Sequence, residues 1–151
     1  MIVSERLKIL SASLILVTAF LMSCTSSPSV RLGYIAQDKE SAKQAIEVFH
    51  SQMNAGDVDR IYKGASEPFR KSQDKDTLAR EMQATRSRFG KFERVESSEL
   101  KVILGSPVQI RAVCKSTFEK GNATELFVFV KDQVEVRLAS YQIWQDSDNN
   151  R

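Results

Sequence analysis

Four side chain types in this sequence could do chemistry, and their spacing says which chemistry is within reach. His50 is the only histidine in 151 residues. Its unperturbed pKa lies near neutrality, so at the mouth of a pocket it could act as a general base. It follows Phe49 and stands four residues after Ile46, at the edge of an apolar stripe. The ordinary reading of such a position is a boundary histidine bonded to backbone or water. Candidate partners are Asp57, Tyr62 and Tyr141. Cys114 sits among Val108, Ile110 and Ala112, and a thiolate there would need a cation or a helix N-terminus nearby. Lys115 is adjacent but points to the opposite face of an extended chain, so Cys114 reads as a buried, inert thiol. Tyr62, Tyr141 and Trp144 combine a large apolar body with a polar tip and could line a cavity opening. We therefore carry His50, Tyr62, Tyr141 and Trp144 as pocket candidates and assign no catalytic residue.

The other cysteine, Cys24, has a different setting. Arg6 and Lys8 open the chain with positive charge, and Ile9 to Met22 carries no charge at all. That run is too short for a helix that crosses a bilayer, which takes roughly 20 apolar residues. A basic front, a short apolar core and a small residue at the exit describe a secretory signal. Leu21-Met22-Ser23-Cys24 resembles the bacterial lipobox. The resemblance implies cleavage between Ser23 and Cys24 and a diacylglycerol thioether on Cys24, later joined by further acyl chains. Each buried methylene contributes roughly 0.8 kcal/mol, so two or three such chains hold a protein at the membrane. Thr25 is not the Asp that retains such proteins in an inner membrane, so the resemblance places this one at the outer membrane, facing the periplasm, if the cell has two.

Composition narrows the function classes. A net charge of +3, from 22 basic and 19 acidic residues, falls short of the clustered basicity of nucleic-acid binders. Two cysteines and one histidine offer no metal-ligand spacing, and no glycine-rich phosphate loop or nucleophile elbow is present, so no metal or cofactor is expected. Charge is uneven along the chain. Lys63 to Arg94 carries nine basic residues against five acidic ones, while Gly121 to Arg151 is net acidic.

The elements that must position these residues follow from periodicity. Ala42, Ala45, Ile46, Phe49 and Met53 recur at helical spacing between Asp38 and Asn54, with Lys39, Lys43 and Glu47 on the other side. Gly56 suits a helix terminator, and Asp57 can cap a second helix through Tyr62. Pro68 is expected to separate that helix from a third, from Asp74 or Asp76 to Phe89, with Leu78, Met82 and Phe89 inward and Gly90 closing it. Beyond Gly90 the period becomes two. Leu100, Val102 and Leu104 mark one strand; Val108, Ile110, Ala112 and Cys114 mark the next, after a Gly105-Ser106-Pro107 break. Gly121-Asn122 is expected to be a hairpin turn. Thr124 to Val130, apolar on both faces, should lie centrally in the sheet, and a fourth strand should run from Val134 to about Trp144.

The expected architecture is α+β: about three N-terminal helices packed on a curved, cone-like four-stranded antiparallel sheet. The expected organisation is a signal peptide over 1–23, a lipidated tether over 24–36, the domain over 37–145 and a disordered tail over 146–151. The segments "AIEVFHSQMNAGDVDRIYKGASEPFR", "RFGKF", "STFEKGNATELFVF" and "YQI" resemble small bacterial domains of unknown function with a nuclear-transport-factor-2-like or cystatin-like fold. Members use the cone for isomerisation, dehydration, ligand capture or dimerisation, and fold alone does not choose among these. The expectation is a membrane-held binding or assembly module with an unknown protein or small apolar ligand as partner, and a homodimer within its scope. The alternative is a small pocket enzyme using acid–base chemistry on an apolar substrate.

Overall fold

The structure, a computed structural model, describes residues 28–132 and 135–146, with side chains from residue 33. The expected signal peptide and lipid site at Ser23 and Cys24, Gln133 and Val134, and residues 147–151 of the tail lie outside the described residues.

Helix α1, Pro28–Ala55, starts ten residues earlier than the apolar stripe indicates. Proline is well suited to a first helical turn because its missing N–H has no partner there anyway. Between Gly33 and Gln37 only Ile35 is even partly buried, so no periodic signal marks these turns. From Asp38 onward one stripe goes inward: Asp38, Ala42, Ile46, Phe49, His50 and Met53. Gly56, at φ 71°, ends the helix. Its N–H bonds Met53 O at 3.1 Å, and the Asp57 N–H bonds Gln52 O at 2.9 Å, the paired closure that a left-handed residue permits.

Asp57 then caps α2, Val58–Gly64, by accepting from the Arg60 N–H. Pro68 does not merely separate two helices, as expected. It lies in the first turn of a short helix α3, Glu67–Ser72, capped by Ser66. The same property that makes proline a helix breaker in the interior makes it harmless in a first turn. Asp74 caps α4, Lys75–Phe89, which buries Leu78, Met82, Thr85 and Phe89 and stops at Gly90.

Four strands follow: β1, Phe92–Ile103; β2, Gln109–Phe118; β3, Gly121–Asp132; and β4, Glu135–Gln145. They form an antiparallel meander in the order β1-β2-β3-β4, with β2 and β3 central. The α+β architecture expected from the period switch is the one observed, helices packed against a curved sheet. The β2–β3 turn is Glu119–Lys120, not Gly121-Asn122, because Phe118 and Gly121 are already paired across the strands. Gly90 fixes that turn in place. A Cβ on Gly90 would come within 2.7 Å of Glu119 Cβ, and the Glu119 and Lys120 N–H groups bond the carbonyls of Lys91 and Phe89 at 3.0 Å.

Three register shifts shape the sheet. In β1 they fall between Phe92 and Arg94 and between Val95 and Ser97; in the β3–β4 pair one falls at Val128/Phe129, leaving Ala139 unopposed. An extra residue flips every later side chain to the other face and bends the strand. Because of it, both Leu138 and Tyr141 of β4 belong to the core side, although their spacing is odd. Phe92, Val95, Leu100 and Val102 of β1 likewise pack on the core despite their uneven spacing.

Candidate functional site

The polar centre of the molecule is Glu125, fully buried on β3. It shares its face with Ala123, Phe127 and Phe129, all buried, since alternate residues of a strand point the same way. An isolated carboxylate in that position would be very costly, and buried charges persist only when paired and hydrogen-bonded. Glu125 has three partners. His50 Nε2 lies 3.0 Å from both carboxylate oxygens. Ser116 Oγ donates to Oε2 at 2.5 Å, and the Tyr141 hydroxyl donates to Oε1 at 2.8 Å. Three donors around one acceptor place the imidazole proton on Nε2.

Each donor is delivered by a different element. His50 belongs to the inward stripe of α1. Ser116 continues the alternation Ile110, Ala112, Cys114 on β2, all of them buried. Tyr141 reaches the carboxylate because the Ala139 irregularity turns it inward. Aromatic rings complete the enclosure. Phe92 stacks on His50 with centroids 3.6 Å apart and planes 3° from parallel. Phe49 and Phe127 meet the imidazole edge-on at 5.9 and 5.6 Å. Asn54 clamps the Phe92 backbone, accepting from its N–H at 2.9 Å and donating to its carbonyl at 2.8 Å. His50 is 2% exposed and Glu125 0%.

Burial and the Glu125 charge set the acidity of the neighbours. The Tyr141 phenol is pushed well above its usual range, first by burial, then by repulsion from Glu125 and by donating to it. The free thiol of Cys114, opposite Glu125 in the strand register, is pushed up to about 12 by burial and by the same charge. A thiol held protonated is not a nucleophile at neutral pH.

The residues singled out from sequence therefore separate. His50 is a core residue rather than a boundary one, because its carboxylate partner comes from a strand 75 positions away. Tyr141 joins it; Tyr62 and Trp144 do not. Tyr62 donates to Arg70 O at 3.3 Å and lines a surface cleft. Trp144 stands 44% exposed opposite Thr124. Asp57 is spent as a cap. Glu125 and Ser116 escaped sequence reasoning, although each continues an apolar alternation that points inward.

Two clefts of the molecule lie elsewhere. One of about 570 Å³ is lined by Asp59, Tyr62, Lys63, Arg70, Lys75 and Arg137, and one of about 280 Å³ lies beside Gly56 and Lys75. Neither includes His50 or Glu125. Among the described residues no group of His, Cys, Asp and Glu is arranged to hold a metal ion, and no helix is long and apolar enough to cross a membrane. No protein-family profile and no curated protein sequence matches this chain.

Proposed function

We propose that this protein is a lipid-anchored component of a bacterial cell envelope whose domain serves as a non-enzymatic binding or assembly module. Its sole histidine and the carboxylate beside it bond each other inside the core, and this observation carries the reading. General acid–base catalysis requires a group within hydrogen-bond reach of a substrate. His50 has a phenyl ring stacked on it and is sealed from solvent, so its proton has no substrate to serve. The anchor rests on Leu21-Met22-Ser23-Cys24 at the end of the uncharged run. The helices followed by a curved antiparallel meander are in keeping with a nuclear-transport-factor-2-like or cystatin-like domain, and the exposed sheet face is the surface for a partner or a second copy.

Two measurements test this. Radiolabelled palmitate should enter the wild-type chain and not Cys24→Ala, which should leave the membrane fraction; label in neither, or an intact residue upstream of Cys24, overturns the anchor. Diethyl pyrocarbonate should leave His50 unmodified until the protein unfolds. Rapid modification of the native protein would instead favour a second reading, that of an acid–base enzyme. The convergence of His50, Glu125, Tyr141 and Ser116 is what that reading has behind it.

A further inference from the structure

The larger cleft gathers four cations and one acid on three helices and a strand: Asp59, Lys63 and Tyr62 from α2, Arg70 from α3, Lys75 from α4 and Arg137 from β4. The acid is already neutralised, since Asp59 pairs with Lys75 at 3.0 Å. That contact holds the Asp59 carboxyl below its usual range and raises Lys75. The remaining cations are less well matched. Arg70 Nη1 donates to the carbonyls of Ala65 and Lys63, which fixes the guanidinium without cancelling its charge. Lys63 has no carboxylate within ion-pair distance among the described residues.

Arg137, on the strand side of the cleft, is held by its own neighbours: its Nη2 pairs with Glu135 at 2.8 Å, and its buried Nε, which has no hydrogen-bond partner among the described residues, faces Asp132 at 3.9 Å. An oxyanion entering the cleft would therefore meet Lys63 and Arg70 first, with Arg137 at its edge.

We infer that this cleft is a binding site for a phosphate ester. A guanidinium fork and an ammonium on separate elements suit a multi-oxygen anion. The volume of about 570 Å³ leaves room for an organic group beside the phosphate, with Tyr62 offering its ring because its hydroxyl is spent on Arg70. The phosphate of an anionic lipid headgroup and that of a soluble ester are the two sources of this chemistry. The first source rests on the lipid-anchor reading; the site itself does not.

The test uses the full chain in detergent and in nanodiscs, read by hydrogen exchange over the α2–α3 segment and β4. Inorganic phosphate and glycerol phosphate are compared with chloride at equal ionic strength; phosphatidylcholine discs are compared with discs containing phosphatidylglycerol. Protection by the soluble ester, by the anionic discs or by both supports the site and identifies its source. Lys63→Gln and Arg137→Gln should each weaken the apparent affinity by about tenfold, whereas Lys101→Gln on exposed β1 should not. No protection in either arm, or an equal loss in Lys101→Gln, overturns the inference. If the chain proves to be unacylated, the anchor reading falls while the soluble arm still decides the site.

Discussion

The Glu125 cluster and the basic cleft each gather charged side chains, and they differ in how far water has been excluded. In the cluster, one carboxylate is matched by His50, Ser116 and Tyr141, and aromatic rings close the remaining sides. In the cleft, Asp59 answers Lys75 and Glu135 answers Arg137, while Lys63 and Arg70 meet no carboxylate among the described residues. A buried polar group must find its partners within the protein, so the cluster is committed to holding the fold. An exposed one keeps its partners negotiable, so the cleft is where a ligand can enter. The same contrast separates the two tyrosines. Tyr141 donates to a buried carboxylate and joins α1 to the sheet, whereas Tyr62 donates to a carbonyl at the surface.

Breaking the cluster should produce the largest effect. Glu125→Ala leaves the His50, Ser116 and Tyr141 donors facing an apolar core and should cost about 3–5 kcal/mol, measured by urea denaturation. That is a large share of the ~5–15 kcal/mol that holds a domain together. His50→Leu with Glu125→Leu should cost less than the two single changes added together, with a coupling of about 1–3 kcal/mol. Additive losses would show that the pair is not a unit.

Removing only the third donor is milder. Tyr141→Phe should lose about 1–2 kcal/mol and should also change the response to alkali. The phenol titrates higher in the folded state than its ordinary 10.0, and the Cys114 thiol moves from 9.0 to about 12. Groups whose folded pKa is raised contribute stability below the unfolded pKa and lose it as pH rises towards the folded one. Stability should therefore fall from about pH 9 upward, and less steeply in Tyr141→Phe; identical slopes would remove the phenol from the cluster. Iodoacetamide at pH 8 should leave Cys114 unlabelled in the native protein and label it fully in denaturant, as mass spectrometry would read.

The cleft gives the smallest effect on folding. Asp59 and Lys75 are side chains in water, and exposed ion pairs contribute little. Lys75→Ala should leave the denaturation midpoint within experimental scatter. A shift comparable to that of Tyr141→Phe would mean that the cleft, too, is part of the structural frame.

Much of this organisation was legible. The stripe through Ala42, Ile46, Phe49 and Met53 predicts α1 because a helix repeats its buried face every three to four residues, and Gly56 and Gly90 mark two of the ends. Leu78, Met82 and Phe89 place α4 in the same way, and the alternation from Ile110 to Cys114 places β2. What misled were local exceptions. Pro68 opens a helix instead of ending one, Gly121 begins a strand instead of making a turn, and Phe92 to Ser98 shows no alternation because two extra residues interrupt it.

By itself the sequence determined the order of α1, α2, α4 and the four strands, the helix limits at Gly56, Asp57, Asp74 and Gly90, and which faces of α1, α4 and β2 turn inward. These depend on contacts between residues close in the chain, whose geometry a helix or strand fixes. Only the tertiary structure decided that His50 meets Glu125 and that Tyr141 turns towards the same carboxylate. Those contacts join residues far apart in the chain, and the one made by Tyr141 depends also on the register shift at Ala139. No spacing within one element encodes it.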